Sequence, residues 1–171
     1  FLPAPNGRLV NAMRLEVIYA HRCDFVHQIW CYCDENTPLL AVVAMDREAT
    51  FRWMQAKQLD PRRTDDLSAT HAGHIKAAVL AQLRDVGVAC GLQPWELVQA
   101  VHVVKTLGQA DDDYRQLATP TFVLRRGHLK KRYEKELKVL RASLRSDAPR
   151  LAARAKAGRT SARTVDDGRR Q

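Results

Sequence analysis

The sequence has no apolar run approaching the ~18 residues needed to cross a bilayer, so no transmembrane helix is expected. It has no initiator methionine and no charged–apolar–small leader at its start, so no signal peptide is expected. FLPAPNGRLV, residues 1–10, opens as if in mid-chain, which suggests a fragment. It has no Cys-x-x-Cys pair. Of its four cysteines, Cys23, Cys31, Cys33 and Cys90, two flank Tyr32 in a Cys-x-Cys arrangement, which is not zinc-knuckle spacing. Buried reduced thiols, and with them an intracellular protein, are the expectation. No internal repeat is visible.

Positive charge, by contrast, is in excess. The chain of 171 residues has 28 Lys/Arg against 19 Asp/Glu, a formal charge of +9. From Asp147 to Gln171 there are seven Lys/Arg and three Asp without apolar periodicity. That reads as a disordered basic tail, open to RNA or an anionic membrane as partner.

Hydrophobic patterning gives the elements. Leu15, Ile18 and Tyr19 fall at helical spacing within Met13–Arg22. Phe25–Cys33 and Leu39–Met45 read as strands about the turn cluster DENTP, an antiparallel hairpin. Asp46 is placed to cap a helix running to about Gln58. Asp65 or Asp66 would cap a long helix whose apolar face is Ile75, Val79, Leu83 and Val86, loosened at its end by Gly87 and Gly91. Leu97–Val104 is a third strand. Gly108–Leu117, with Asp111, Asp112 and Asp113, is a loop, and Leu129, Tyr133, Leu137, Leu140 and Leu144 mark a final amphipathic helix. The sum is an α+β domain: a small antiparallel sheet with flanking helices, followed by the basic tail.

Three ordered stretches resemble one family. GRLVNAMRLEVIY (Gly7–Tyr19), the strand pair with VHQIW (Val26–Trp30) and LLAVVAMDREA (Leu39–Ala49), and TPTFVLRR (Thr119–Arg126) are similar to the C-terminal domain of long-chain fatty acid–CoA ligases, in the adenylate-forming superfamily. WELVQAVHV (Trp95–Val103) and LKKRYEKEL (Leu129–Leu137) extend the resemblance. It implies a hinge-proximal segment at 1–6, a ligase C-terminal domain at 7–146 and a tail at 147–171. It also implies an N-terminal adenylation domain absent here, which would hold ATP and the fatty acid. The parent would use ATP, Mg2+ and CoA; the fragment alone would be inactive and bind none of them. The parent would be cytoplasmic, or associated with a membrane.

The resemblance also exposes departures. The family's adenylation lysine falls at Val123, which has neither charge nor donor. Loss of one electrostatic stabiliser commonly costs about 10²- to 10³-fold in rate. Arg125 and Arg126 are the nearby cations, weak substitutes because of their position and because arginine is not a lysine. In the loop expected on the CoA side, Gly7 and Val10 match, whereas Arg8 replaces the family's glutamate; Thr121 also keeps the family's frame. The alternative reading is a non-catalytic binding module with a basic tail contacting RNA or anionic membrane. His71 and His74, three apart, lack an evident third metal ligand; His102 reads as a sheet histidine, and Trp30, Trp53 and Trp95 as core packing rather than base-stacking platforms.

Overall fold

A computed structural model describes residues 1–58, 72–104, 107 and 125–146. Asp65, Asp66, His71, the run Asp111–Asp113, Thr121, Val123 and the tail 147–171 lie outside the described residues.

The chain starts as a small antiparallel ribbon. Strands β1 (Leu2–Ala4) and β2 (Arg8–Val10) pair with Leu2 opposite Val10. They are joined by the tight turn Pro5–Gly7, where Gly7 sits at φ +70°. Asn11 then caps helix α1 (Ala12–Arg22), its Oδ1 accepting from the Arg14 N–H at 3.1 Å. The hairpin forms as the alternation and turn residues require: β3 (Val26–Asp34) and β4 (Thr37–Met45) are antiparallel, with Trp30 opposite Val42. Asp46 caps helix α2 (Arg47–Ala56), accepting from Ala49 N–H at 2.7 Å.

Helix α3 (Ala72–Ala89) buries Ile75, Val79 and Leu83. Its end is not loosened by Gly87. A Cβ there would lie 2.5 Å from Leu97 Cδ2 and 3.2 Å from Tyr19 Oη, so Gly87 is where helix and loop approach closely. Gly91, at φ +67°, makes the turn that ends the helical run.

Strand β5 (Ala100–Val104) pairs parallel with β4, His102 opposite Val42, in the order β3–β4–β5. The antiparallel expectation holds for the hairpin, and β5 makes the sheet mixed. The connection from β4 runs through α2 and α3, and a crossover of that length returns the chain to the end where β4 began. Helix α4 (Arg126–Arg132) and the closing helix (134–146) complete the α+β domain. Tyr133, at φ −103° and ψ 20°, is the turn that separates them: its N–H donates to Leu129 O at 2.9 Å, and Leu137 N–H donates to its carbonyl at 2.9 Å.

Both faces of the hairpin are covered, which is why LLAVVAM is continuously apolar. Ile29, Cys31, Cys33, Ala41 and Val43 pack with Leu15 and Tyr19 of α1 and with Val79 and Leu83 of α3. Their neighbours in the alternation, Trp30, Tyr32, Leu40 and Val42, pack with Leu129, Tyr133, Leu137 and Leu140. Cys31 and Cys33 thus share a face, as their spacing predicts, and Cys23, Cys31 and Cys33 are buried free thiols.

Candidate functional site

Two places collect the described residues singled out by the resemblance. The first is the N-terminal turn. Gly7 needs its left-handed backbone for torsional reasons alone, since a Cβ would meet nothing within 4 Å. Arg8 is exposed, and its guanidinium carbon lies 4.6 Å from the Trp95 ring centroid. Trp95 belongs to the short turn Pro94–Glu96, held by a capping box between Gln93 and Glu96. Glu96 also accepts from Arg14 Nη1 at 3.4 Å, and its carbonyl accepts from Tyr19 Oη at 3.3 Å. Trp95 therefore does not pack in the core as expected; it is 36% exposed and carries Arg8. Val10 has no exposed side chain and serves the core.

The second place is the point where TPTFVLRR runs into α4. Arg125 stands exposed at the helix N-cap. Arg126 turns inward. Its Nη2 donates to Glu16 Oε2 at 2.6 Å and its Nη1 to the Cys31 carbonyl at 3.2 Å. Glu16 Oε1 in turn accepts from the Cys31 N–H at 2.8 Å. Strand β3 lies at the edge of its sheet. One ion pair, reaching from α1 and α4, thus satisfies both outward backbone groups of Cys31 on an edge that otherwise invites foreign pairing. Burial pushes the Glu16 carboxyl up from its usual pKa, and the hydrogen bonds from Arg126 and Cys31 with the Arg126 charge offset only part of that. Burial likewise pushes the Cys31 thiol well up, and the Cys33 thiol to about 11.

Beside Arg126 lies a cleft of about 240 Å³ between β1, the end of β3 and the start of α4, lined among others by Leu2, Pro3, Trp30, Tyr32 and Lys130. Lys130 Nζ is 5.5 Å from the Tyr32 ring centroid. At the cleft's end Tyr32 Oη donates to Asp34 Oδ2 at 2.7 Å, and Arg141 Nη2 donates to the same carboxylate. Burial acts to raise the Asp34 pKa, but the nearby Thr37 and Tyr32 hydroxyls, the Asn36 amide and the Arg141 charge together lower it. Burial pushes Tyr32 up to about 12. His102, half-buried on β5, lies 6.1 Å from the Tyr133 ring centroid, and desolvation lowers its pKa. Trp30 is buried, as expected, and Trp53 packs edge-on against Phe25 at 5.8 Å.

The geometry thus divides the expected residues. Arg8 is held by an aromatic ring, Arg126 by a carboxylate and a carbonyl, and Arg125 points out. Glu16 lies within the matched stretch Gly7–Tyr19 with no role assigned by the resemblance; its place amid the apolar residues of α1 is the one signal of a buried partner. Glu96 carried no signal, because its partners are a sequence-distant arginine and tyrosine. Among the described residues no group of three or more His, Cys, Asp or Glu side chains is placed to hold a metal ion.

No protein-family model matches the chain. It is similar to long chain acyl-CoA synthetase 6, peroxisomal, of Arabidopsis thaliana, 29% identical over 126 residues that make up 73% of this chain and 17% of the relative. Long chain acyl-CoA synthetase 2 of the same plant is 30% identical over 132 residues, 75% of this chain and 19% of the relative. Fatty acyl-CoA synthetase B of Dictyostelium discoideum is 27% identical over 143 residues, 81% and 20% respectively. The chain spans about a fifth of the length of these relatives. Among solved structures, the adenylation domain of a carboxylate reductase from Mycobacterium chelonae superposes with a TM-score of 0.62 at 24% identity, over 81% of this chain and 19% of that one. The A domain of carboxylic acid reductase from Segniliparus rugosus, in complex with AMP and a co-purified carboxylic acid, gives 0.62 at 22%, over 83% and 20%. These findings bear out the resemblance to long-chain acyl-CoA synthetases, and the fold is one that occurs within adenylation domains of carboxylate reductases.

Proposed function

We propose that the chain is the C-terminal domain of a long-chain fatty acid–CoA ligase. The observation that supports this reading is the similarity to three acyl-CoA synthetases over roughly three quarters of the chain. The parent's reaction has two steps. A fatty acid carboxylate oxygen attacks the α-phosphorus of ATP, and pyrophosphate leaves with its electron pair. The CoA thiol, losing its proton, then attacks the acyl carbonyl of the adenylate, and AMP leaves. Mg2+, held with ATP in the other domain, would neutralise phosphate charge. Rotation of the small domain between the steps is a hinge-type switch.

Within that reading this chain's first task is to place a loop. Arg126 fixes the end of TPTFVLRR to α1 and β3 through Glu16 and Cys31. With its guanidinium committed there, Arg126 is a positioning residue rather than a replacement for the adenylation lysine, and Arg125 is the cation left at the loop's end. Val123 supplies no stabilisation of the charge that develops at the α-phosphate, so the parent adenylates slowly. On the CoA side, the Gly7 turn would bring backbone near the pantetheine channel, with Arg8 withdrawn onto Trp95.

The test is pyrophosphate exchange by the intact parent and its Val123→Lys variant. The lysine form is expected to exchange about 10²-fold faster, the usual worth of one such stabiliser. Equal rates would refute the slow-adenylation reading, and absence of fatty-acid-dependent exchange in both would refute the ligase reading. The second reading, a non-catalytic module with a basic tail at 147–171 that contacts RNA or anionic membrane, has the overall charge of +9 in its favour.

A further inference from the structure

The positive charge of this chain is concentrated in its C-terminal helices. Residues 125–146 contain nine Lys/Arg and two Glu, a net +7, whereas residues 1–124 sum to −2 and the tail 147–171 to +4. With Arg126 and Arg141 paired to Glu16 and Asp34, a net +5 remains on α4, its N-cap Arg125 and the closing helix, elements that are folded against the sheet.

On those helices the charges fall in register. Leu129, Tyr133, Leu137 and Leu140 are buried against β3, β4 and β5. Lys131, Lys135, Lys138 and Arg145 are all exposed. On the closing helix a turn of about 100° per residue places Lys135, Lys138 and Arg145 within an arc of about 80°, opposite the buried side, over about 15 Å, and Lys131 precedes them on α4, two residues after the buried Leu129. His128 and Arg132 flank them, and Ala142 completes the row without blocking it. Glu134 bonds to Lys138 at 2.7 Å, but both groups are mostly exposed and the pair does little to cancel the row. The one large apolar side chain exposed on this face among the described residues is Val139, 66% exposed beside the row.

We propose that this outer face of α4 and the closing helix is a docking surface for an anionic lipid membrane. Four cations on two consecutive folded helices, three of them in a row on the closing helix, meet a flat layer of headgroups. Each basic side chain near such a surface strengthens binding about fivefold. Val139 is an aliphatic group that the headgroup boundary accepts. Single-stranded nucleic acid would call for rings on which bases stack. Among the described residues this face exposes none, since Tyr133 is buried and Trp95 lies on a different element. The apolar sides of the helices are spent on the core, so the mode is adsorption rather than insertion, and salt weakens it. This inference rests on the charge distribution and the fold and is independent of the ligase reading.

The test uses the full chain with vesicles of phosphatidylcholine alone and of phosphatidylcholine with phosphatidylserine, read by co-sedimentation at low and raised salt. Binding to the anionic vesicles, weakened by salt and absent with phosphatidylcholine alone, is expected. Replacing the row (Lys131→Gln, Lys135→Gln, Lys138→Gln, Arg145→Gln) is expected to weaken it about 10²- to 10³-fold. Removing comparable charge from α2 (Arg47→Gln, Arg52→Gln, Lys57→Gln) should change it little, with circular dichroism confirming that both variants fold. The proposal is overturned if the row variant binds like wild type, if both variants lose binding equally, if deletion of 147–171 alone abolishes binding, or if RNA displaces the protein from the vesicles at equal phosphate.

Discussion

Arg126→Gln tests the physical account of the β3 edge most directly. The substitution removes the guanidinium that neutralises Glu16 and satisfies the Cys31 carbonyl. Breaking a fully buried ion pair costs about 3–5 kcal/mol, and breaking an exposed one about 0–1. This pair lies between, with the side chain of Glu16 13% and that of Arg126 32% exposed. An orphaned backbone carbonyl adds part of a hydrogen bond's worth. A loss of about 2 kcal/mol follows, a fall in Tm of about 4–8 °C for a chain of this size. Glu16→Gln should cost about 1 kcal/mol, because the amide oxygen still accepts from Cys31 N–H. The double variant should cost less than the two single losses together, by about 1 kcal/mol of coupling. The pH dependence is the sharper readout. Burial already raises the Glu16 pKa in the folded state, so this carboxyl favours folding least once pH has risen through its native pKa. Without Arg126 the native pKa rises further. The penalty of Arg126→Gln should therefore be small at acid pH, where Glu16 is protonated folded and unfolded, and grow toward neutrality. Urea denaturation of the four proteins across that range is the assay. A penalty under about 0.5 kcal/mol at neutral pH, or one that does not change with pH, would refute the reasoning.

Two further outcomes follow from single residues. No atom stands where a Cβ at Gly7 would go, so Gly7→Ala should destabilise the fold in thermal denaturation by only the about 1–2 kcal/mol cost of a side chain in the left-handed region, and Gly7→Asn by less, because asparagine's short polar side chain can hydrogen-bond locally there. Alkylation followed by mass spectrometry should modify Cys90 first, since it alone of the four cysteines is not buried. Cys31 should resist until the protein unfolds, because burial keeps its thiol protonated far above neutrality. Early labelling of Cys31 would mean that the β3 edge opens without global unfolding.

The sequence was most legible where one local rule decided the outcome. Asp46 before Arg47–Ala56 is a helix cap by its chemistry, and the structure has it accepting from Ala49 N–H. Ile75, Val79 and Leu83 can face one way only on a helix, and they are buried. The turn at Glu35–Asn36 sets the hairpin. The direction of β5 was not legible in that way, because a strand's own residues carry no mark of whether its neighbour runs with or against it. That depends on the path of the connection, and the path here passes through two helices. Gly87 misled for a related reason. A glycine near a helix end suggests fraying, but its effect depends on what approaches it, and Leu97 and Tyr19 arrive from far along the chain. In the sequence, the surroundings of Arg8 point to a loop on the CoA side and those of Trp95 to the core. Only the fold brings them together.

The same distinction bears on the loop that ends at Arg126. A match to a catalytic motif combines residues that do chemistry with residues that hold the motif in place, and sequence weighs both alike. Arg126 belongs to the second kind, since its hydrogen bonds run to Glu16 and to the backbone of an edge strand. Its presence is explained by the stability of β3 and α4 whether or not the parent adenylates anything. Arg126 therefore supports descent of the fold and lends no weight to activity. On the proposed ligase reading, activity would turn on position 123, where a valine stands, and on whether Arg125 reaches the α-phosphate. If Arg125 does serve, Val123→Lys should gain little in pyrophosphate exchange while Arg125→Ala loses most of it. If it does not, the order of the two effects reverses. That pair of variants in the intact parent separates a ligase with a displaced cation from one that has lost it.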